Sequence, residues 1–430
     1  MAALKKHART ARTNNGNRRG TLAFAPVVLA SVLLWVAGGC GGQQEDAPNE
    51  RERGSAATQT ANAVPETTAE QRTTAAPSPA IALQASDPIR LTDDIGYYPA
   101  VFSFSSDGDK VAFMKEFSDP YDVGLYAVNS DGTGLIHVTD STTAGVTRPT
   151  ISPSGNKIIF ESDAGNLPSN TDIYSVNSDS TNLINLTESM AAGEVAPTFS
   201  PDGDQIIFVR YPICEPLKAQ QNPDACAGDN IYAMSSDGSN QHRLTNDAAT
   251  HVDPKFSSDG EKIILIRMNS GYSPTKDSGI YVTDSDGSNA KRLVDGVLPP
   301  TNYIFSPDGE RVAFDKIAKP DPTRVEMYTV NANGTGLMRL TKNTVFDGYP
   351  AFVPGTDMLA FVSARDGDED IYAMRLDGTG LTNLTDTNSA NESAPAFSAD
   401  GSKMAYSSVR RDRSDQVVSE IYVMSLDSTN

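Results

Sequence analysis

Apolar and polar positions in this chain repeat over a period of about 49 residues, the mean spacing of seven tyrosines at Tyr126, Tyr174, Tyr232, Tyr281, Tyr328, Tyr372 and Tyr422. Each tyrosine follows an apolar residue inside a short apolar run. Six residues later comes a turn position: Gly132, Ser180, Gly238, Gly287, Gly334, Gly378 or Ser428. Twelve residues after the first six tyrosines stand Val138, Leu186, Leu244, Leu293, Leu340 and Leu384. Upstream, a first turn at Gly108, Gly155, Gly203, Gly260, Gly309, Thr356 or Gly401 is followed five residues on by Phe113, Phe160, Phe208, Leu265, Phe314, Phe361 or Tyr406.

Two hairpin turns and four short apolar runs per repeat predict four antiparallel strands, A to D, with turns joining A to B and C to D. Runs such as Ile206–Val209 and Ile231–Met234 show little polar alternation. A strand of that kind is covered on both faces, which excludes a sheet with one solvated side. The prediction is an all-β fold, a seven-bladed β-propeller of four-stranded antiparallel blades. Pro149, Pro197, Pro254, Pro350 and Pro395 lie six residues before the turn position. They are expected at the start of the innermost strand, where a missing N–H is tolerated. The stretch Ile89-Arg90-Leu91-Thr92 has a Leu-Thr but no blade before it, while the last repeat lacks its own. The N-terminal strand is therefore expected to complete the last blade and close the ring, leaving no open edge.

The repeat SPDG-x4-F, IYxM-x2-DG and LT resembles the WD40-like repeat of TolB-type β-propellers over about 340 residues. That resemblance implies architecture more than activity, because similar blades occur in TolB, in the propellers of prolyl-oligopeptidase relatives and in oligogalacturonate lyases. Seven blades behind a tether differ from TolB, which has six blades behind an α/β domain.

Composition adds an export reading. Net charge is −20, and all six Lys and Arg of residues 1–39 precede an apolar run, so the remainder is more acidic still. Such a body repels nucleic acid and anionic membrane surfaces. The basic start, the apolar run from Leu22 to Val36 and the small residues before Cys40 read as a lipoprotein-type signal peptide over 1–39, with Cys40 the lipidation site. Arg18-Arg19 leaves twin-arginine export open. Residues 40–86, rich in Ala, Thr, Pro, Gln and Glu, read as a flexible low-complexity tether, and 87–430 as the propeller. Cys214 and Cys226 share an insertion in the third blade and are expected to form a disulfide in an exported chain.

Chemistry-bearing motifs are sparse. No G-x-S-x-G, H-E-x-x-H, C-x-x-C or P-loop pattern occurs, so no catalytic residue, metal site or cofactor is assigned. His137, His242 and His251 read as surface or strand-end residues, and Asp366-Gly367-Asp368-Glu369-Asp370 as a solvated hairpin tip. Loop lengths vary only between B and C, which points to the end where B–C and D–A loops emerge as the binding face. Strand B of six blades ends in a cation there: Lys115, Arg210, Arg267, Lys316, Arg365 and Arg410. Four of these are expected to pair with Asp229, Glu326, Asp370 and Glu420 at the start of strand C. Lys115 and Arg267 have no such acid. With Arg148, Tyr97, Tyr98 and Tyr349 they are the candidate contacts for an acidic protein or peptide partner. The expectation is a monomeric, non-enzymatic scaffold of the bacterial cell envelope, touching the membrane only through its lipid anchor. The alternative is a propeller enzyme of polysaccharide-lyase type or a peptidase-associated propeller.

Overall fold

A computed structural model of the chain describes residues 82–96, 101–116, 123–139, 146–163, 171–189, 192–212, 228–269, 277–296, 301–317, 324–387 and 389–429, all within one compact unit, Thr67–Asn430. Among them are seven antiparallel sheets and no helix. The third blade shows the plan: strand A is Ala192–Phe199, B Gln205–Pro212, C Asn230–Ser235 and D His242–Arg243, hydrogen-bonded in that order.

Alternation along B and C supplies both faces of each blade. Ala112 faces the second blade while Val111 and Phe113 face the seventh. The buried apolar side chains of the described residues fall into seven clusters, one between each pair of adjacent blades, including the pair that joins the seventh to the first. In six blades the repeat landmarks form a ring pair, with Leu265 facing Tyr281 in the fourth: Phe208 lies 5.9 Å from Tyr232, and Tyr406 lies 5.6 Å from Tyr422. A buried serine three residues before the turn glycine ties the A–B hairpin. Ser200 Oγ accepts the N–H of Gln205 at 2.9 Å and donates to Asp202 at 2.5 Å. In the sixth blade Val353 replaces that serine; the positive φ moves to Gly355, and Thr356 caps the Val353 carbonyl through its own hydroxyl at 2.8 Å. A threonine can therefore stand where the other blades have glycine.

The prolines are not at strand starts. Each lies inside strand A at a register shift, as between Val195 and Thr198, and the residue before it (Arg148, Ala196, Asp253, Tyr349 or Ala394) has φ between 47° and 55°. A bulge leaves one residue out of the ladder, so the missing proline N–H costs no hydrogen bond.

Ring closure follows the sequence expectation and exceeds it. Ile89–Arg90 pairs with Tyr422 and Val423, placing Leu91 in the cluster between the seventh and first blades. Ser428 is not a turn. Strand C of the last blade runs straight from Val417 to Thr429, and a second N-terminal strand, Ala82–Ala85, pairs with its end, Ala82 opposite Thr429. The last strand stays extended, and two N-terminal strands pair with it.

Candidate partner face at the loop end

Two of the cations that end strand B, Arg210 and Arg365, find their acids on strand A instead of strand C. Arg210 lies directly opposite Glu194 in the A–B ladder, and its Nε donates to Glu194 Oε1 at 2.7 Å; Asp229 is not its partner. Arg365 donates to Asp347 Oδ1 at 3.1 Å rather than to Asp370. Glu326 is held by Arg324 at 2.6 Å and by Arg339, while Lys316 gives a hydrogen bond to the Asp295 carbonyl at 3.1 Å. Only Arg410 pairs as expected, with Glu420 at 3.2 Å. Arg90 of the closing strand reaches the same carboxylate at 2.9 Å. For Arg210 the ladder decides, since Glu194 lies directly opposite it and Asp229 one position along; Glu326 lies directly opposite Lys316 but is held by the two arginines.

Of the candidate partner contacts, Arg267 is not free: it forms an ion pair with Asp247 at 2.8 Å, and its guanidinium lies over the Tyr281 ring. Tyr349 is half-buried against the apolar cluster between the sixth and seventh blades, and its backbone N–H donates to Asp315 Oδ2 at 3.3 Å. Burial pushes its hydroxyl well above the usual tyrosine range. Arg148 remains about half exposed, 3.7 Å from Glu161. Lys115 sits opposite Gly124 and has no ion pair with a described residue. Cys40, Tyr97, Tyr98, Cys214 and Cys226 lie outside the described residues.

What sequence reasoning missed is a series of buried ionisable groups at one repeat position, nine residues before the first turn: Glu194, His251, Asp347 and Glu392. The fixed offset was the available signal. Burial raises the Glu194 carboxyl to about 7 against the pull of Arg210, and raises Glu392 to about 8. Asp315, on strand B, is pushed to about 6 by burial while it accepts two bonds from Asn302, at 2.9 and 2.7 Å. His251 is buried, not a surface residue, and its Nε2 lies 3.2 Å from Asp247. Burial lowers its basicity more than Asp247 restores it. Two buried carboxylates of strand B serve the bulges: Glu161 accepts the Ala196 N–H at 2.6 Å, as Asp315 accepts that of Tyr349. A left-handed non-glycine residue costs on the order of 1 kcal/mol, which a charge-assisted bond to a buried acceptor offsets.

The acidic run also departs from expectation. Asp366 and Gly367 are exposed at the tip, but Asp370 is buried and accepts hydrogen bonds from Asn383 at 2.9 Å and Thr385 at 3.2 Å. Among the described residues no three His, Cys, Asp or Glu side chains gather as a metal-holding group.

No curated protein matches the sequence. Several solved structures share the fold. An oligogalacturonate lyase in complex with manganese has a TM-score of 0.57 at 11% identity, over 81% of this chain and 96% of that one. A puromycin hydrolase has a TM-score of 0.57 at 14% identity over 76% of this chain, which spans about half (51%) of the hydrolase. TolB from Acinetobacter baumannii has a TM-score of 0.45 at 20% identity, over 65% of this chain and 64% of TolB. Residues 270–430 match the family model of the TolB beta propeller domain. The same landmarks, in the same register, build the blades before residue 270.

Proposed function

We propose that this propeller is a non-enzymatic, lipid-tethered scaffold of the cell envelope whose loop end takes an acidic protein or peptide. The observation that carries this reading is the fate of the rim's acid–base groups. Glu194, Asp347, Glu326 and Glu420 are buried and tied to arginines within the molecule, so they brace the sheets instead of facing a substrate. In the first two blades Lys115, half-buried, and Arg148, exposed, offer positive charge at this end. The match to the TolB beta propeller domain supports an extracytoplasmic setting, and the Cys40 context supports the anchor. A second reading has one specific observation behind it, the His251–Asp247 pair, which has the composition of a general-base dyad.

Cross-linked pull-downs from envelope extract test the first reading. Lys115→Ala with Arg148→Ala should reduce recovery of a discrete partner and flatten its salt dependence. An unchanged partner set removes the loop face from consideration. Turnover of oligogalacturonate or of a peptidyl substrate by the full chain, lost in His251→Gln, establishes the second reading instead.

A further inference from the structure

The junction between the sixth and seventh blades differs from its counterparts in how it treats buried acid. At the second-to-third junction Asp172 and Glu194 occupy the same repeat positions as Asp370 and Glu392, with the same supporting residues: Asn185 and Thr187 there, Asn383 and Thr385 here. Arg210 meets Glu194 at 2.7 Å. In the seventh blade that arginine position is Ser408, whose hydroxyl donates to Glu392 Oε1 at 2.9 Å. Thr387 bridges the two acids, its hydroxyl 3.0 Å from Glu392 Oε2 and its N–H 3.2 Å from Asp370 Oδ1. No described cation forms an ion pair with either carboxylate. Arg365 is held by Asp347 and Arg410 by Glu420.

We propose that this junction is a proton-locked seam: a proton held on Glu392 beside Asp370 keeps the two blades joined at the loop end, and its loss loosens them. The contrast with other buried carboxylates is in what meets the charge once the proton leaves. Glu194 has a guanidinium, and Asp315 has three N–H donors, two from Asn302 and one from Tyr349. Glu392 has two hydroxyls and a neighbouring carboxylate. Several further acids crowd this corner. Asp366 and Asp386 act on Asp368, as Asp370 does. The Glu369 carbonyl accepts the Glu392 N–H at 2.6 Å, and Glu369's own carboxyl is raised by burial. The phenols nearby, Tyr372 and Tyr406, are pushed further from ionisation by burial, with Asp370 and Glu392 adding to it. Among the described residues Arg365 lies over the Tyr372 ring and is paired with Asp347, and no cation pairs with Glu392 or Asp370.

A protonated group whose pKa rises on burial favours the closed state below its exposed pKa, and that preference declines as pH rises toward the buried value. With 4.5 for the exposed carboxyl and about 8 for Glu392, opening increases across that interval and levels off above it.

Amide hydrogen exchange on the full chain at pH 5.5 and pH 8, corrected for intrinsic chemical exchange, tests the seam. Peptides covering 366–372 and 390–397 should open at least about tenfold more at pH 8, since each pH unit in the window is worth up to about tenfold. Peptides 171–177 and 192–199 from the arginine-braced junction should change less. Glu392→Gln, and separately Ser408→Arg, should remove most of the pH response at the sixth-to-seventh junction. The proposal is overturned if the two junctions of the parent respond alike, or if either folded variant keeps the full response. The parent comparison stands by itself should a variant fail to fold.

Discussion

The third blade and the seventh carry the same landmarks but are assembled differently. The third is one continuous stretch, Ala192–Arg243, and its outer strand arrives by a tight turn at Gly238. The seventh is drawn from both ends of the propeller: its outer positions are filled by Ile89–Arg90 and Ala82–Ala85, paired with one long strand, Val417–Thr429. The chemistry of the position is preserved across the break. Arg90 reaches the buried Glu420 as Arg339 reaches the buried Glu326 in the continuous fifth blade. Leu91 is as buried as Leu186 or Leu384. An equivalent strand therefore does not need to be covalently adjacent. It needs the right residues in register and a sheet edge that has no other partner.

The largest effect should come from removing the closing strands. Deleting 82–93 exposes an edge and takes Leu83 and Leu91 out of two interblade clusters. At about 1.5–3 kcal/mol per buried aliphatic side chain, with the lost ladder added, the cost is on the order of 5 kcal/mol. Thermal unfolding should fall by roughly 10 °C. A melt within about 2 °C of the parent would show that the ring holds without its clasp.

Point substitution asks whether the clasp is as well packed as a continuous strand. Leu91→Ala and Leu244→Ala occupy one repeat position and are similarly buried. Each should cost about 2–4 kcal/mol in denaturant unfolding, the two agreeing within about 1 kcal/mol. A much smaller loss at Leu91 would mean that the N-terminal strand frays.

The two buried glutamates of the seventh blade should respond to pH in opposite senses. Burial pushes Glu420 up, but Arg410, Tyr422 and Arg90 together outweigh it and hold its carboxyl below the usual range. Its contribution is therefore present above the ordinary value of 4.5 and lost as pH falls. Glu392, raised to about 8, contributes below 4.5 and loses that contribution as pH rises toward 8. Stability profiles from pH 3 to 9 should show Glu420→Gln flattening the acid limb and Glu392→Gln flattening the rise from weakly acidic to alkaline pH. Identical profiles for both variants would remove the distinction.

A finer comparison concerns how closely the clasp abuts the next blade. Gly132 and Gly287 are equivalent turn residues, both with φ of 82°. A Cβ on Gly287 would lie 2.3 Å from the Leu244 carbonyl of the preceding blade, whereas one on Gly132 would meet nothing nearer than 3.9 Å, at Ile89 of the clasp. Both alanines share a backbone strain of about 1 kcal/mol. Gly287→Ala should cost about 1–2 kcal/mol more. Equal losses would mean that the turn beside Leu244 relaxes freely. Smallest of all, Lys115→Ala should change unfolding stability by less than about 0.5 kcal/mol, because the side chain has no ion pair with a described residue to lose.

The sequence by itself determined the architecture. A two-turn repeat with apolar runs on both sides of Phe and Tyr has one economical solution, a ring of blades that cover one another, and the unmatched Leu91 showed where it closes. Those features are legible because they are local periodicities, set by steric and solvent preferences that each repeat expresses separately. Pairing at the rim was not legible. Whether Arg210 meets Asp229 or Glu194 depends on ladder register and on which strand lies opposite, and periodicity alone does not rank two acids that are both within reach. The bulges at the prolines, the straight run through Ser428 and the burial of His251 and Asp370 were likewise decided by tertiary packing. Each is a case where the ends of several strands compete for the same donors and space. Such competition is settled in three dimensions, because burial turns weak local preferences into large penalties for any charge or backbone group left without a partner.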